Sequence, residues 1–277
     1  MSDTASIDAT VLQAGSQTTG IVESGEGTPV LLLHGSGPGV SGLANWRLTL
    51  PALAAAGFRA IAPDQLGFGQ TVPPAGHRYS LESWVGHAID VLDGLGLERV
   101  HLIGNSFGGA VALNLAARHP DRVERLVLMG TVGVPFSITE ALDRVWGYRP
   151  SIDEMLELMT LFAYDSSGFG RDLAAQRFEA SIENGADKRF AEMFPAPRQR
   201  WVDAMATSFE SITRITSPTL LVHGRDDRVI PLQNTLTLLE LLPNARAHIF
   251  GQCGHWTQIE HAAEFNALVT SFLTEEV

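Results

Sequence analysis

A serine enclosed by glycines is well placed in this sequence for nucleophilic chemistry. Ser106 lies in GNSFGG, residues 104–109, between the apolar run VHLI and the run AVALNLAAR. The first run predicts a short buried strand, and the second predicts a helix that stops at His119-Pro120. G-x-S-x-G at such a turn is typical of a nucleophile elbow, which raises the serine hydroxyl above a sheet edge at a helix N-terminus. The motif alone is weak, so an incidental serine in a small-residue turn stays open until partners are found.

A nucleophilic serine needs a base, and the base needs an acid that orients it. The run TLLVHG leads into RDDRVIP, with Asp226 and Asp227, and the run AHIF leads into GQCGHW, with His255. Taken singly, these are a solvated acidic turn and a surface-loop histidine. Together they follow predicted parallel strands in the order serine, acid, histidine. We therefore predict that Ser106, His255 and one of the two aspartates converge at one sheet edge.

Glycines also follow the early run VLLLH, in HGSGPG at residues 34–39. An oxyanion hole needs the N–H of the residue after the nucleophile, here Phe107, and a second N–H from this loop, for which Ser36 is the candidate. A Gly-rich loop can instead bind phosphate. However, no G-K-[ST] follows, and the spacing is not G-x-G-x-x-G ahead of a helix. The loop therefore favours acyl chemistry over nucleotide binding.

The composition restricts the partners and the compartment. The chain has 277 residues, 45% hydrophobic and 18% charged, with a net charge of −12 and a pI of about 5.1. This acidity disfavours nucleic acid and anionic membrane surfaces as partners. No apolar run reaches the length of a membrane span, and the N-terminus lacks the pattern of a signal peptide. The single cysteine, Cys253, fits a reducing cytoplasm, so we expect a cytoplasmic protein.

Strands and helices alternate over most of the chain. Residues 7–24 predict an antiparallel hairpin. Further strands are predicted at 30–34, 58–62, 100–103, 123–129, 219–223 and 246–250. Helices are predicted at 46–56, 80–95 (with Ser80 as N-cap), 107–118, 231–241 and 258–273. This pattern predicts an α/β fold with a mostly parallel central sheet. Residues 134–211 break the alternation and predict an inserted helical lid over the ligand-binding sheet edge. The predicted domains are a core formed by 1–133 and 212–277 and a lid formed by 134–211.

Several stretches together carry a resemblance to a known family. They are HGSGPGVSGLANW, APDQLGFGQT, GNSFGGAVAL, VWGYRPS, FAYDSS, MFPAPRQRW, HGRDDRVIPL and GHWTQIE. The chain resembles the meta-cleavage product hydrolases of bacterial aromatic degradation, and most of all those of the alkylbenzene and phenol pathways. The resemblance implies an α/β-hydrolase fold with a helical lid that works without metal or organic cofactor. It also implies hydrolysis of the C–C bond of 2-hydroxy-6-oxo-hexa-2,4-dienoates to 2-hydroxypenta-2,4-dienoate and a carboxylic acid.

The resemblance further implies roles for individual residues. It identifies Ser106, Asp227 rather than Asp226, and His255 as the catalytic triad. Around the substrate carboxylate it places Ser36, Asn45, Asn105, Arg177 and Trp256. The pocket for the 6-substituent would include Val132, Val202 and Ile230.

From the residues alone, each of these positions has a plainer interpretation. Arg177 would be a solvated helix arginine, since the inserted segment holds several others. Asn45 would be a helix N-cap ahead of Trp46. Trp256 and the three aliphatic residues would be ordinary core.

Two other functions stay open at this point. A serine esterase of the same fold would keep the triad without a carboxylate anchor, and a non-catalytic ligand-binding protein of this fold could keep both the triad and the oxyanion loop. A dehalogenase or epoxide hydrolase would instead need an acidic nucleophile at position 106. The expected partner is a small dienoate substrate, and the expected assembly is a homo-oligomer.

Overall fold

A computed structural model describes residues 6–275. The strands are β1 (Asp8–Ala14), β2 (Gln17–Ser24), β3 (Thr28–Leu33), β4 (Phe58–Pro63), β5 (Val100–Asn105), β6 (Val123–Met129), β7 (Thr219–Gly224) and β8 (Ala245–Phe250). The helices are α1 (Gly42–Trp46), α2 (Leu50–Ala55), α3 (Leu81–Gly94), α4 (Phe107–Arg118), α5 (Glu140–Trp146), α6 (Ile152–Phe162), α7 (Arg171–Ile182), α8 (Ala186–Met193), α9 (Gln199–Ala204), α10 (Phe209–Thr213), α11 (Leu232–Leu241), α12 (Thr257–Glu260) and α13 (Ala262–Thr274). Within residues 6–275, no helix combines the length and the apolar character that crossing a membrane requires.

One eight-stranded sheet holds the molecule together, in the order β1-β2-β4-β3-β5-β6-β7-β8. β1 pairs with β2 and β2 with β4 in antiparallel fashion, and all other neighbours are parallel. The predicted α/β-hydrolase architecture, with its N-terminal hairpin, is confirmed. Because β3, β5, β7 and β8 are parallel, the loops that follow them lie at one edge of the sheet.

Helices cover both faces of this sheet, which the sequence of β3 shows directly. Leu31 and Leu33 pack in a cluster that includes residues of α3 and α4, whereas Val30 and Leu32 pack in a second cluster that includes residues of α2 and α13. Alternate residues of a strand point to opposite faces, so a strand that is apolar throughout must be buried on both sides. All six residues of β5 are buried for the same reason. The loops at the sheet edge therefore start from rigid strands.

Two predicted helices are each divided in the structure. The predicted helix 46–56 is α1 followed by α2, with Pro51 in the first turn of α2, where its missing N–H costs no hydrogen bond. Ser41 caps α1 by accepting the Ala44 N–H, so the N-cap interpretation of Asn45 does not hold. The predicted helix 258–273 breaks at His261 into α12 and α13. The N-cap prediction for Ser80 is confirmed by its reciprocal capping box with Ser83.

The segment between β6 and β7 contains α5 to α10 and, in the part of the chain that the structure describes, no strand. The apolar stripe of α6 shows how the segment packs. Met155, Leu158, Met159 and Phe162 recur at the spacing of one helix face, and all four are buried. That face points inward rather than to solvent.

Candidate active site

Ser106 lies at the tip of the turn between β5 and α4. Its backbone has φ 55° and ψ −116°, a conformation that costs a non-glycine residue about 1–3 kcal/mol. The flanking glycines make this turn possible. A Cβ on Gly104 would lie 2.6 Å from the Gly108 carbonyl oxygen, and one on Gly108 would lie 2.3 Å from the Leu33 carbonyl oxygen. The serine is thus held in a strained position at a helix N-terminus.

His255 and Asp227 meet at the same sheet edge. His255 Nδ1, in the loop after β8, lies 2.7 Å from Asp227 Oδ2, in the loop after β7. Asp227 Oδ1 accepts the backbone N–H groups of Val229 at 2.7 Å and Ile230 at 3.0 Å. Because a carboxylate only accepts hydrogen bonds, His255 Nδ1 carries the proton, and Nε2 is then the basic nitrogen of the neutral ring. Asp227 therefore fixes both the orientation and the tautomer of His255.

The surroundings of Asp227 keep it ionised, although its side chain is only 1% exposed. Burial alone would raise the pKa of Asp227. The attraction of a protonated His255 and the N–H groups of His223 and His255 outweigh burial and hold this pKa well below its usual range. The neighbouring Asp226 instead lies beside Arg225 and the Cys253 N–H. Of the two candidate acids, Asp227 is the one in contact with His255.

Two backbone N–H groups near Ser106 remain available to a ligand. In the described part of the chain, neither Ser36 nor Phe107 donates its N–H to another backbone group. Phe107 is the first residue of α4, where helix N–H groups lack intrahelical partners. The Ser36 hydroxyl accepts the Trp146 indole N–H at 2.9 Å. This arrangement is suited to binding a negatively charged oxygen.

His34 holds the loop that carries Ser36. Its Nδ1 lies 2.8 Å from the Gly35 carbonyl oxygen, and its Nε2 accepts the Gln65 N–H at 3.0 Å. Burial lowers the pKa of His34, so the ring stays neutral and keeps one donor and one acceptor nitrogen. His34 is therefore a structural support of the loop that carries Ser36.

A cavity joins these groups. Its lining includes Ser36, Ser106 and His255. Polar lining residues are Asn45, Asn105, Arg177, Trp256 and Gln258. An apolar wall comes from α5, α6 and the loop after β7, with Leu142, Val145, Met155, Leu158, Met159 and Val229.

Arg177, on α7, brings a cation to this cavity. Its guanidinium carbon lies 5.5 Å from the centre of the Trp256 ring, and that ring stacks on Phe162 with centres 4.8 Å apart. Burial and the positive charge of Arg47 lower the pKa of Arg177, and no acid among the described residues raises it. A guanidinium without a protein carboxylate beside an apolar cavity is suited to binding a carboxylate of a ligand.

Three side-chain amides lie in the cavity wall. Asn45 Oδ1 accepts the Gly35 N–H at 3.5 Å, and Asn105 Nδ2 donates to the Met129 carbonyl oxygen at 3.4 Å. Gln258 Nε2 donates to the Asn45 carbonyl oxygen at 3.5 Å. Among the described residues, Asn45 Nδ2 and Gln258 Oε1 have no hydrogen-bond partner. The cavity wall therefore offers a ligand one donor group, Asn45 Nδ2, and one acceptor, Gln258 Oε1, that its internal hydrogen bonds do not use.

Three residues expected in the pocket for the 6-substituent do not line this cavity. Val132, Val202 and Ile230 are each 0% exposed and lie in the larger hydrophobic core. Val229 lines the cavity instead of Ile230, whose backbone groups bond to Asp227 and His223. An apolar pattern marks burial without showing which buried side chain borders a void, so the role of these three residues in the 6-substituent pocket stays a prediction.

Sequence reasoning also missed three residues around the site. Gln258 follows His255 by three positions in GHWTQIE, so closeness to the histidine was the available signal. Trp146 contacts Ser36 across 110 positions of the chain, and no spacing pattern links them. His223 was assigned only to its strand, yet it lies against Asp227.

Comparison with known proteins gives the family. A family model for the alpha/beta hydrolase fold matches residues 28–262. The chain is 54% identical to the 2-hydroxymuconate semialdehyde hydrolase of Pseudomonas sp. strain CF600, over 96% of this chain and 93% of that protein. It is 53% identical to the 2-hydroxy-6-oxo-2,4-heptadienoate hydrolase of Pseudomonas putida strain F1, over 95% of each. A serine-to-alanine variant of the meta-cleavage product hydrolase from Pseudomonas fluorescens IP01, solved with acetates, is 50% identical with a TM-score of 0.94, over 95% of this chain and 97% of that chain. This chain therefore belongs to the meta-cleavage product hydrolases of the α/β-hydrolase fold.

Proposed function

We propose that this chain hydrolyses the C–C bond of 2-hydroxy-6-oxo-hexa-2,4-dienoates, giving 2-hydroxypenta-2,4-dienoate and a carboxylic acid. The observation that carries the proposal is a single cavity lined by Ser106, His255 and Arg177, in which no acid among the described residues pairs with the guanidinium. An esterase needs the first two residues but not the third. The names of the similar proteins, a semialdehyde hydrolase and a heptadienoate hydrolase, agree with this substrate class.

The substrate carboxylate binds to Arg177. A guanidinium presents two parallel N–H groups to a carboxylate, which fixes direction as well as position. Trp256 supports the guanidinium from one side, 5.5 Å from ring centre to Cζ. The unpaired Asn45 Nδ2 supplies a further donor in the same wall. The carboxylate end is thereby fixed, and the 6-oxo carbon extends towards Ser106.

The first chemical step is ketonisation of the dienol. Cleavage next to C6 of the dienol would expel a vinyl carbanion, which is a very poor leaving group. Moving the 2-hydroxyl proton to C5 gives a ketone at C2, and cleavage of C5–C6 then expels a delocalised dienolate. The cation of Arg177 stabilises the negative charge that develops at this end of the substrate.

The second step is attack at C6 by the Ser106 side of the cavity. His255 takes a proton from the nucleophile and later gives it to the departing dienolate, while Asp227 stabilises the imidazolium. The N–H groups of Ser36 and Phe107 bind the oxyanion formed at C6. Attack by Ser106 followed by cleavage of C5–C6 gives the dienolate and an acyl-enzyme, which water then hydrolyses to the carboxylic acid. Attack by a water that Ser106 and His255 activate gives a gem-diol, which breaks at C5–C6 to the same two products. Mass measurement of trapped enzyme distinguishes these two routes, because only the first acylates Ser106.

The apolar wall receives the 6-substituent, and the segment 134–211 acts as the lid. Support comes from Leu142 and Val145 on α5 and from Met155 on α6, whose apolar side chains line the cavity. We divide the chain accordingly into a core of 1–133 and 212–277 and a lid of 134–211. Closure of such a lid keeps bulk water from the dienolate.

We also propose that the protein acts in the cytoplasm as a homo-oligomer. The single cysteine supports the first statement, because the chain cannot form an internal disulfide. Exposed apolar side chains, among them Val11 at 64%, Val72 at 51% and Phe209 at 49%, support the second. Light scattering of the purified protein measures the mass of the assembly.

The decisive experiment follows the colour of the substrate. Ring-fission products with 6-H, 6-methyl, longer 6-alkyl and 6-phenyl groups form yellow dienolates, and the enzyme should bleach at least one of them with release of the matching carboxylic acid. The control is Ser106→Ala at the same concentration. Turnover of nitrophenyl esters without bleaching would instead establish an esterase, and failure of both reactions with retained dienoate binding would establish a binding protein.

A further inference from the structure

A second histidine lies against the acid of the triad. His223 is the fifth residue of β7 and is 0% exposed. Its Nε2 lies 3.3 Å from Asp227 Oδ2 and 3.0 Å from the Ile230 carbonyl oxygen. Its Nδ1 lies 2.7 Å from the hydroxyl oxygen of Thr235, on α11. Every polar atom of the ring therefore has a buried partner.

These contacts fix the tautomer of His223. A carbonyl oxygen and a carboxylate only accept, so Nε2 must carry a proton. In the neutral ring Nδ1 then accepts the hydroxyl proton of Thr235, which is 1% exposed. Without the Thr235 hydroxyl proton, nothing holds the ring in this tautomer. In the other tautomer, the lone pair of Nε2 would face two acceptor oxygens.

Asp227 receives three N–H hydrogen bonds and one longer contact from His223. Oδ1 accepts the N–H groups of Val229 and Ile230, and Oδ2 accepts that of His255 at 2.7 Å. The His223 N–H bonds to the Ile230 carbonyl oxygen, and the same nitrogen lies 3.3 Å from Oδ2. A carboxylate offers about four lone-pair sites, so these four groups together restrain its rotation about Cβ–Cγ. The His223 N–H also shares the charge of the same oxygen that His255 uses.

We propose that His223 is a positioning residue for the triad, held in its working tautomer by Thr235. The proposal rests on the proposed function, since it assumes that Asp227 orients a catalytic His255. His223 holds Oδ2 where His255 Nδ1 meets it, and it moderates the attraction of Asp227 for the imidazolium. Loss of the His223 N–H leaves more charge on the oxygen that faces His255 and strengthens that attraction.

The groups around the His223–Asp227 pair decide in which direction the pH dependence of kcat/KM changes when His223 is replaced. Among the described residues, His255 is the titratable group in contact with Asp227 besides His223, and the Cys253 thiol lies close enough for the charges of Asp227, Asp226 and Glu260 to affect it. Burial raises the pKa of the Cys253 thiol to about 12, so it stays neutral in the working range. A stronger pull of Asp227 on the imidazolium must then move the acid limb of kcat/KM to higher pH.

The test compares His223→Phe and Thr235→Val on the 6-methyl dienoate. We expect kcat to fall about tenfold for His223→Phe and about 3- to 10-fold for Thr235→Val. These are the losses expected when one hydrogen bond near a charged group is removed. KM should stay within about twofold, because neither residue lines the cavity, and the acid limb should move up by about half a pH unit. His223→Gln, which restores a side-chain N–H, should recover part of kcat.

Matched controls exist elsewhere in the core. His101→Phe and Thr49→Val change the same residue types at buried positions where His101 Nδ1 and Thr49 Oγ1 have no partner among the described residues. Both should keep wild-type kcat and pH profile. Should His223→Phe fail to fold, the nearly isosteric Thr235→Val carries the test.

Asp227→Asn separates the failure of this proposal from that of the proposed function. In that background His223→Phe should have almost no further effect, because the residue it acts through is already changed. An equal fold-loss in both backgrounds, or a wild-type kcat and acid limb in both test variants, would overturn the role of His223. High activity of Asp227→Asn alone would instead refute the triad itself.

Discussion

Replacing Arg177 by alanine tests the assignment of the carboxylate end. The variant removes a guanidinium that has no acidic partner among the described residues, so it leaves no orphaned protein charge behind. The loss should therefore fall on the substrate. Hydrogen bonds to a charged group contribute about 1.5–3 kcal/mol, and a bidentate contact beside an apolar wall should contribute about 2–4 kcal/mol. We expect kcat/KM for the dienoate to fall about 30- to 1000-fold, since about 1.4 kcal/mol is a factor of ten.

The assay measures two reactions of each variant. Bleaching of the dienolate reports the reaction that needs the anchor, and hydrolysis of a neutral nitrophenyl ester reports the triad and the oxyanion hole alone. The second rate should change only a few-fold in Arg177→Ala. Arg177→Lys should recover part of the first rate, because an ammonium keeps the charge but cannot form the planar bidentate contact. If the guanidinium also assists ketonisation, kcat falls together with the affinity.

The ratio of the two rates decides the interpretation. Equal losses on both substrates would mean that Arg177 holds the lid through its contact with Trp256, 5.5 Å from the ring centre. No loss on either would mean a solvent-facing arginine without a function in binding. Arg171→Ala is the matched control, because Arg171 begins the same helix but pairs at the surface with Asp153. It should leave both rates unchanged.

Three other predictions follow from the same geometry. Ser106→Ala should lower kcat at least a thousandfold, because triad residues act as a unit; a variant that keeps a tenth of the wild-type kcat would contradict the assignment. Trp146→Phe removes the 2.9 Å bond to Ser36 Oγ but keeps an aromatic ring; kcat should fall about 3- to 10-fold, and Tm should fall as well because the smaller ring leaves space at a buried position. Burial lowers the pKa of His101 to about 4, while the unfolded chain protonates near its ordinary value of about 6.5. Stability should fall as pH decreases through this window, and Tm against pH should be flatter for His101→Phe; parallel curves would refute this.

The sheet and the convergence of the three loops at one of its edges were predictable because their signals are local. Each strand is a short apolar run with punctuation at both ends, and the loops that carry Ser106, Asp227 and His255 follow such runs directly. The register of parallel strands then brings the three loops to one edge without any further information. The side chains of Asp226 and Asp227 point in different directions, and the residues alone did not decide which of them meets the histidine. In the structure Asp227 bonds to His255, whereas Asp226 accepts the Cys253 N–H.

The breaks in helices and the walls of the cavity were less predictable. Pro51 follows α1 closely enough that apolar periodicity continues across the break between α1 and α2. Val132, Val202 and Ile230 have the character of pocket residues, but they lie in the larger hydrophobic core, whereas α5 and α6 supply side chains that line the cavity. Which apolar face borders a void depends on how helices α5 to α10 are placed on the rest of the molecule, and no short sequence window contains that information.

The charge of the molecule explains why the anchor has to be local. A net charge of −12 repels a dienoate at long range, so the attraction that brings the substrate in must come from a cation inside the cavity. Screening in physiological salt acts over about 8 Å, which weakens the repulsion of the distant acids more than the attraction of a half-buried guanidinium in contact with the ligand. The cationic neighbour of Arg177 is Arg47, and its charge lowers the pKa of Arg177 without bringing it near neutrality. Under the proposed assignment, Arg177 at one end of the cavity and an apolar wall at the other let an acidic protein bind an anionic substrate in a single direction.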